Sequence, residues 1–384
     1  MLKDQLAPTF KNLFGRDAQV FAQAPGRIEF VGNHTDYNGG FVMGVAIDKS
    51  ICCAVAKRAD RKACFANARN GQIISADIDN IQKFPRENNW ANYPLGVLKF
   101  MIEAGFKPEC GFDMTDISNL PSGAGLSSSA AIEMAACAAL AKLFGFDIDK
   151  KTMAQIGRKS ENHFVGMPCG ILDQGVSAFG EKDRAVFIDC LCDEFDTLPL
   201  PQNSKFYIFN STKKHALVDG QYAARHAECM EAAKILSEGG EPRLLRAFTL
   251  ADLEAKKGAM SENAYKRAKH VINENERVLA ARECMLNDNP VKLGQILFAS
   301  HESSRTLFEN SAQELDVLVD TLKNTPYVYG ARLSGGGFGG AVMALVSSDF
   351  SEYNAHFVAE KYKTLFGQSP KYFECRADNG ARIV

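Results

Sequence analysis

The sequence predicts a two-domain α+β protein with mixed sheets. Its 384 residues exceed what one compact core usually holds, so two domains are the default. Segments of strand-like and helix-like periodicity are mixed along the chain. A polar, proline-bearing stretch, DEFDTLPLPQNS (193–204), places a break within 180–205. The expected domains are 1–200 and 201–384.

Residues 1–14 read as a short amphipathic helix. The run 18–58 reads as strand, loop, strand, with glycines marking the turns. Helical periodicity covers 90–104, and CGFDMTDIS (110–118) alternates like a half-buried strand. The loop LPSGAG then leads into a helix at 127–144, and a second helix covers 151–165. MPCGILDQGVSAFG (167–180) reads as a loop opening into a helix. AVFIDC (185–190) and KFYIFNS (205–211) read as strands, and 220–236, 261–285 and 290–324 as mostly helical. YVYGARLSGGGFGGAVMALV (327–346) reads as a strand, a glycine loop and an apolar run that fits either a strand or a helix start. A last helix and the strand KYFECRAD close the chain.

Hydrophobic residues make up 46% and charged residues 23%, a globular profile and not a disordered one. A formal net charge of −2 argues against nucleic-acid binding through a basic excess. The eleven cysteines form no CxxC pair and no zinc-spaced cluster, and most sit in apolar runs, so a reducing, cytoplasmic compartment is expected. The N-terminus has no signal-peptide core. The longest apolar run, 130–146, is interrupted by Glu133 and Lys142 and falls short of a membrane span, so it reads as a buried helix and no membrane association is expected.

Strand, then PSGAGLSSS, then helix is an arrangement that binds phosphate. The first N–H groups of a helix lack intrahelical partners, and the helix dipole adds partial positive charge there. Gly123 and Gly125 let the backbone approach an anion, and Ser127, Ser128 and Ser129 add hydroxyls for phosphate or Mg²⁺. The alternative is a plain serine N-cap, which needs one serine and no paired glycines. No Walker A loop and no protein-kinase HRD or DFG motif occurs. In SGGGFGG (334–340), Gly335, Gly337 and Gly340 satisfy GxGxxG, but so close to the C-terminus the dinucleotide reading is rejected. The glycine density suggests a backbone that passes very near a ligand or the first loop.

Three motifs in order resemble those of the galactokinase family of GHMP small-molecule kinases. APGRIEFVGNHTDYNGG (24–40) is similar to its sugar-binding signature, LPSGAGLSSSAA (120–131) to its ATP-phosphate loop, and LSGGGFGG (333–340) to its C-terminal glycine motif. WANYPLGV, ENHFVGMPCGILDQ and SHESSRTLFENSAQELDVLV match further segments, so the likeness spans almost the whole chain. The resemblance implies an S5-like N-terminal domain binding sugar and ATP phosphates, a ferredoxin-like C-terminal domain, and an active site between them. It implies ATP and Mg²⁺ as cofactors, a small-molecule sugar as partner, and a monomer. The implied reaction is transfer of phosphate from ATP to the anomeric hydroxyl of galactose.

By the same resemblance, Asp173 lies beside the anomeric hydroxyl and Arg27 is its matching cation. An aspartate beside an arginine keeps a low pKa and can still accept a proton as the transition state develops. His34, Asp36, Gly170, Asp173 and Tyr222 match sugar-contacting positions. Trp90, Gly123, Ala124, Gly125, Leu126, Ser127, Ser128, Ser129, Gly335 and Gly336 match the ATP site, and Ser129 with Glu161 the Mg²⁺ partners. Bland alternatives stand beside these: a helix cap after Gly170 for Asp173, a solvated helix face for Glu161, an amphipathic-helix position for Tyr222, and a core anchor for Trp90.

The chain departs from the family in one place that matters. The family reads G-R-V-N-x-I-G-E-H-T-D-Y, whereas here Glu29 stands at the Asn position and Asn33 at the Glu position. If 29–33 is extended, both lie on one face, so the exchange moves a charge without removing it. In the family that Glu sits near the sugar's 6-hydroxyl. By that match Asn33 joins the expected sugar contacts, since it can still hydrogen-bond there; being neutral, it also opens a second reading, a kinase for a C6-modified sugar such as galacturonate. Around Tyr222, GQY replaces the family's SEY. A third reading, a non-catalytic sugar and ATP sensor, is disfavoured because GLSSSAA, Arg27 and Asp173 are all intact.

Overall fold

The structure, a computed structural model, describes residues 1–121, 123–212 and 218–384. The amphipathic helix α1 (Leu2–Phe14) lays Leu6 and Phe10 on the back of the first sheet, against Cys52, Ala54 and Ala56. The sheet's spine is the antiparallel pair β1 (Val20–Val31) and β2 (Phe41–Lys57). A hairpin of β3 (Lys62–Ala66) and β4 (Ile73–Asp77) follows, then α2 (Asn92–Glu103) and β5 (Phe112–Ser118). Next come α3 (Ser128–Phe144), α4 (Lys150–Lys159) continuing into a π-helical turn at Ser160–Val165, and α5 (Leu172–Phe179). Strands β6 (Arg184–Asp189) and β7 (Glu194–Pro199) end this part.

The strand order is β1–β2–β5–β3–β4, with β3 parallel to β5. One half of β2 (Phe41–Gly44) pairs with β6 and the other (Ile51–Lys57) with β5. Helix α3 is buried nearly all round, as expected of an alanine-rich helix with no polar face. With α2, α4 and α5 it forms the main core over the sheet.

The second sheet opens with β8 (Ser204–Asn210). Helices α6 (Val218–Leu236), α7 (Leu250–Lys256), α8 (Glu262–Leu286), α9 (Pro290–Ser303) and α10 (Gln313–Lys323) follow. Then come β9 (Val328–Ser334), β10 (Ala341–Ser347), α11 (Glu352–Phe366) and β11 (Lys371–Cys375), in strand order β11–β8–β10–β9, all antiparallel. The final short strand β12 (Arg382–Ile383) returns to the first sheet, beside β1.

Side-chain alternation fixes how the sheets meet. From β8 and β10, Phe206, Ile208, Met343 and Leu345 face the first sheet's Ile28, Phe30, Val45 and Ile47, with Val278, Leu293 and Leu297 of α8 and α9 between them. Tyr207, Phe209, Val342 and Val346 point the other way, under α10 and α11. Both faces of β10 are therefore buried. That explains why AVMALV shows no alternation, and it resolves the open choice there as a strand. The polar stretch at 193–204 holds β7, an edge strand paired only with β6, where a terminal Pro199 is tolerated.

Among the described residues no helix is long and apolar enough to cross a membrane. All eleven cysteines carry free thiols. Phe30 meets Phe206 edge-on at 6.2 Å in the core between the sheets. Phe30→Ala should cost about 3–5 kcal/mol, read by denaturant unfolding. A loss under about 1 kcal/mol would mean that this core contributes little.

Candidate active site

Arg27 lies in β1 where the ladder register slips between Pro25 and Arg27, an irregularity that re-aims side chains. Its Nε and Nη2 donate to the two oxygens of Asp173 at 2.7 and 2.9 Å, and its Nη1 donates to the Gly125 carbonyl at 2.7 Å. The guanidinium is buried. Burial works against its charge, but the Asp173 carboxylate outweighs it and the pKa rises above the ordinary value. Asp173 sits in the first turn of α5, whose cap position is Ile171, so it does not serve as the cap. The dipole there favours its charge, and Ser127 donates a further bond to Oδ2.

That bond also decides the reading of the glycine–serine loop. Ser127 adopts φ 53° and its side chain does not cap α3. The plain-cap alternative therefore fails, and the first N–H groups of α3 have no side-chain cap. They border a cleft of about 340 Å³ lined by Gly123, Ala124, Gly125, Leu126, Ser127, Ser128 and Ser129 with Arg27, Asp173, Gly335 and Gly336. Ser122 lies outside the described residues. The two glycine loops meet here. A Cβ on Gly125 would stand 3.5 Å from the Ser334 carbonyl oxygen, and one on Gly335 would stand 3.6 Å from that of Gly125. Both glycines have positive φ, 64° and 88°, which a side chain would strain. The second loop is the turn between antiparallel β9 and β10, with no helix behind it, so the dinucleotide motif has no structural basis.

Next to this cleft, and sharing Arg27, Asp173, Gly335 and Gly336 with it, lies a smaller polar one of about 120 Å³. Glu29, Asn33, His34, Asp36, Gly170 and Tyr222 line it. Gly170 packs so closely on Asp36 that a Cβ would overlap the carboxylate. Asp36 accepts from the Tyr37 N–H at 3.0 Å, and burial raises its pKa to about 7, with Glu29 and Asp173 adding to the rise. Tyr222 is half-buried, its ring 5.2 Å from that of His34.

Two of the expected sugar contacts are already engaged within the protein. His34 donates Nε2–H to the Gly336 carbonyl at 3.2 Å and accepts from the Tyr37 hydroxyl at 3.0 Å. Burial lowers its pKa to about 3, so it stays neutral. The Asn33 amide donates to Glu29 Oε1 at 2.8 Å and to the Gly335 carbonyl at 3.0 Å. It accepts from Ser304 at 3.3 Å and Asn310 at 2.8 Å, so it has nothing left for a sugar hydroxyl. Of the exchanged pair, Glu29 is the one that brings an ionisable carboxyl to this cleft, and burial works against its charge. Its Oε1 also accepts from the fully buried Arg332 at 3.2 Å, a partner that sequence reasoning missed.

Glu161 lies in the π-helical turn and is buried, not on a solvated helix face. It accepts from Gln174 at 2.7 Å, and the Ser129 hydroxyl favours its ionised form. Burial first and the Asp173 charge second raise its pKa to about 7. A buried carboxylate in the field of a second one, with the Ser129 hydroxyl near enough to influence it, is an oxygen donor set that fits a hard divalent cation such as Mg²⁺. Among the described residues no group of three or more His, Cys, Asp and Glu could hold a metal. Phosphate oxygens would have to supply further ligands.

Beyond the phosphate cleft lies a third, of about 510 Å³, lined by Trp90, Tyr93, Asn67, Arg69 and Asp116. It shares Leu120, Pro121, Ser128 and Ser129 with the phosphate cleft, so the three clefts form one groove. Trp90 is half-buried at its edge, where its ring also packs against the main core, so both sequence readings of it fit. A larger cleft of about 740 Å³, beside α6, shares no lining residue with the groove, so size alone does not locate the site.

Comparison with known proteins matches three family models: the galactokinase galactose-binding signature over residues 8–57, the GHMP kinases N terminal domain over 92–181, and the GHMP kinases C terminal over 281–366. The chain is 37% identical over 400 residues to a galactokinase of Actinobacillus pleuropneumoniae and 35% identical over 388 residues to one of Streptococcus thermophilus, covering 100% of both chains in each case. The crystal structure of Lactococcus lactis galactokinase complexed with galactose superposes with a TM-score of 0.94 at 30% identity, covering 100% of both chains.

Burial raises Asp36 from an ordinary 3.8 to about 7, so between those values the native state holds a proton that the unfolded chain releases. The associated stability is present at low pH and is lost as pH rises through that window. Asp36→Asn stays neutral throughout. Relative to this variant, the wild type should lose on the order of a few kcal/mol between pH 4 and 7, read by denaturant unfolding across pH. Parallel profiles for the two proteins would show that Asp36 is not raised.

Proposed function

The chain belongs to the galactokinase family of GHMP kinases, and from that premise we propose that it transfers the γ-phosphoryl group of ATP to the anomeric hydroxyl of galactose, giving α-galactose 1-phosphate and ADP. The observation that carries this reading is the groove itself. The Arg27–Asp173 pair lines both the phosphate cleft and the polar cleft, where a phosphoryl group and a sugar hydroxyl would meet.

In this reading the N–H groups of 123–129 hold the phosphates, and the sugar occupies the polar cleft, its hydroxyls donating to Asp36. Asp173 accepts the hydrogen of the anomeric hydroxyl. As the sugar oxygen bonds to the γ-phosphorus, the bond from that phosphorus to the bridging oxygen breaks and the proton passes to Asp173. Arg27 fixes the orientation of that carboxylate and offsets charge on the transferring group. Such transfer is mainly positioning and electrostatics. Ser129 and Glu161 would hold Mg²⁺, which when bound neutralises charge on the phosphate oxygens. Residues 1–200 would supply most of this machinery, and 201–384 the second glycine loop and Tyr222.

Glu29 supports a neutral sugar over galacturonate, because a sugar carboxylate would add a further negative charge to a cleft where burial already works against the charges of Glu29 and Asp36. The unbroken serine loop with both Arg27 and Asp173 supports a catalyst over a sensor. The free thiols support a reducing, cytoplasmic compartment, and we propose a monomer.

ADP release with ATP, Mg²⁺ and galactose should fall by about 10²–10⁴ in Asp173→Asn. Unchanged turnover would remove Asp173 from its role. Across galactose, N-acetylgalactosamine, galacturonate and arabinose, galactose should be preferred and galacturonate refused. Turnover of galacturonate without galactose would overturn the substrate.

A further inference from the structure

The wide end of the groove carries a charged group that the reaction leaves unused. Asp116 stands on β5 one residue beyond the point where β3 stops, since Ala66, the last residue of β3, pairs with Thr115. There the chain turns away through Asn67 and the sheet opens into the cleft that Asp116 lines with Trp90 and Tyr93. Among the described residues no hydrogen bond reaches the Asp116 carboxylate, and its one compensating charge is Arg69, across the same cleft. The half-buried carboxylate lines an aromatic-edged slot with its acceptor capacity unused by the protein, so it is available to a ligand that supplies donors.

The slot continues into the phosphate cleft through Leu120, Pro121, Ser128 and Ser129, so the ligand part that reaches it is the base of a nucleotide. An ionised carboxylate only accepts. It therefore favours bases that present N–H groups: the amino group of adenine, or the adjacent N1–H and amino group of guanine, which match its two oxygens.

We propose that Asp116 reads the base of the nucleotide by accepting from its amino group, so that the site takes guanine as well as adenine nucleotides. This rests on reading the groove as nucleotide-binding.

Calorimetric binding of ADP, GDP and purine riboside diphosphate, which lacks any amino group, tests it on the whole chain. The wild type should bind ADP and GDP at least about tenfold more tightly than purine riboside diphosphate. In Asp116→Ala that preference should shrink to about threefold or less. Asp116→Leu serves if the alanine variant fails to fold, and the wild-type preference is a test without any variant. Equal affinities, GDP no tighter than purine riboside diphosphate, or a preference that survives substitution would each overturn the proposal while leaving the kinase reading intact. Binding of none of the three would overturn both.

Discussion

Arg27 brings a positive charge into a groove crowded with carboxylates, and the geometry of the groove follows from where that charge is held. Its three side-chain bonds reach α5 through Asp173 and the glycine–serine loop through Gly125, while its backbone belongs to β1. Strand, helix and loop are thereby fixed relative to one another at the point where chemistry would occur. Glu29, Asp36 and Glu161 all have pKa values pushed up by burial, so each resists ionising in the same small volume. Arg27 and, on the other side of Glu29, Arg332 are the protein's counterweights. A sugar's hydroxyls and a divalent cation are the kinds of ligand that would relieve the remaining carboxylates.

The second sheet contributes by holding the other wall. Its inner face shares a continuous apolar core with β1 and β2, and that core carries the turn between β9 and β10 up against the first glycine loop. Polar pins then lock the sugar-side loop. Glu274 of α8 accepts from the N–H groups of Gly32 and Asn33, and His270 donates to the Asn33 carbonyl. Burial opposes the Glu274 charge, but Arg277, His270 and Arg332 outweigh it and hold its carboxyl well below the usual range. Asn33 and His34 therefore act as struts of the polar cleft, while Asp36, Glu29 and Asp173 carry its free acceptor capacity.

Much of this was legible in the sequence where local chemistry demanded unusual residues. Two glycines and three serines before an alanine-rich helix, and five glycines between two strands, have no ordinary local use, and both proved to line one cleft. The helix at 127–144 followed from its long apolar run, and the strands within 18–58 from the glycines that mark the turns between them. Other elements gave no such signal. The β3–β4 hairpin is short and partly polar, β7 is an edge strand inside a polar stretch, and β12 spans only Arg382–Ile383. The fate of Asn33 was hidden for a different reason. The exchange with Glu29 was visible, but the partners that engage its amide, Ser304 and Asn310, lie 271 and 277 residues away. Periodicity carries no information about contacts at that range. Arg332 was equally hidden, because nothing in ARLSGGG distinguishes a buried counter-ion from a strand-surface arginine.

The most direct measurement is a crystal structure with galactose and a non-hydrolysable ATP analogue bound together. The expected result has the triphosphate on the 123–129 loop, the sugar in the cleft of Asp36 and Glu29, and the anomeric oxygen in hydrogen-bond reach of Asp173 and in line with the γ-phosphorus. A nucleotide bound outside this groove, or a sugar whose anomeric oxygen points away from Asp173 with Arg27 released, would contradict the account.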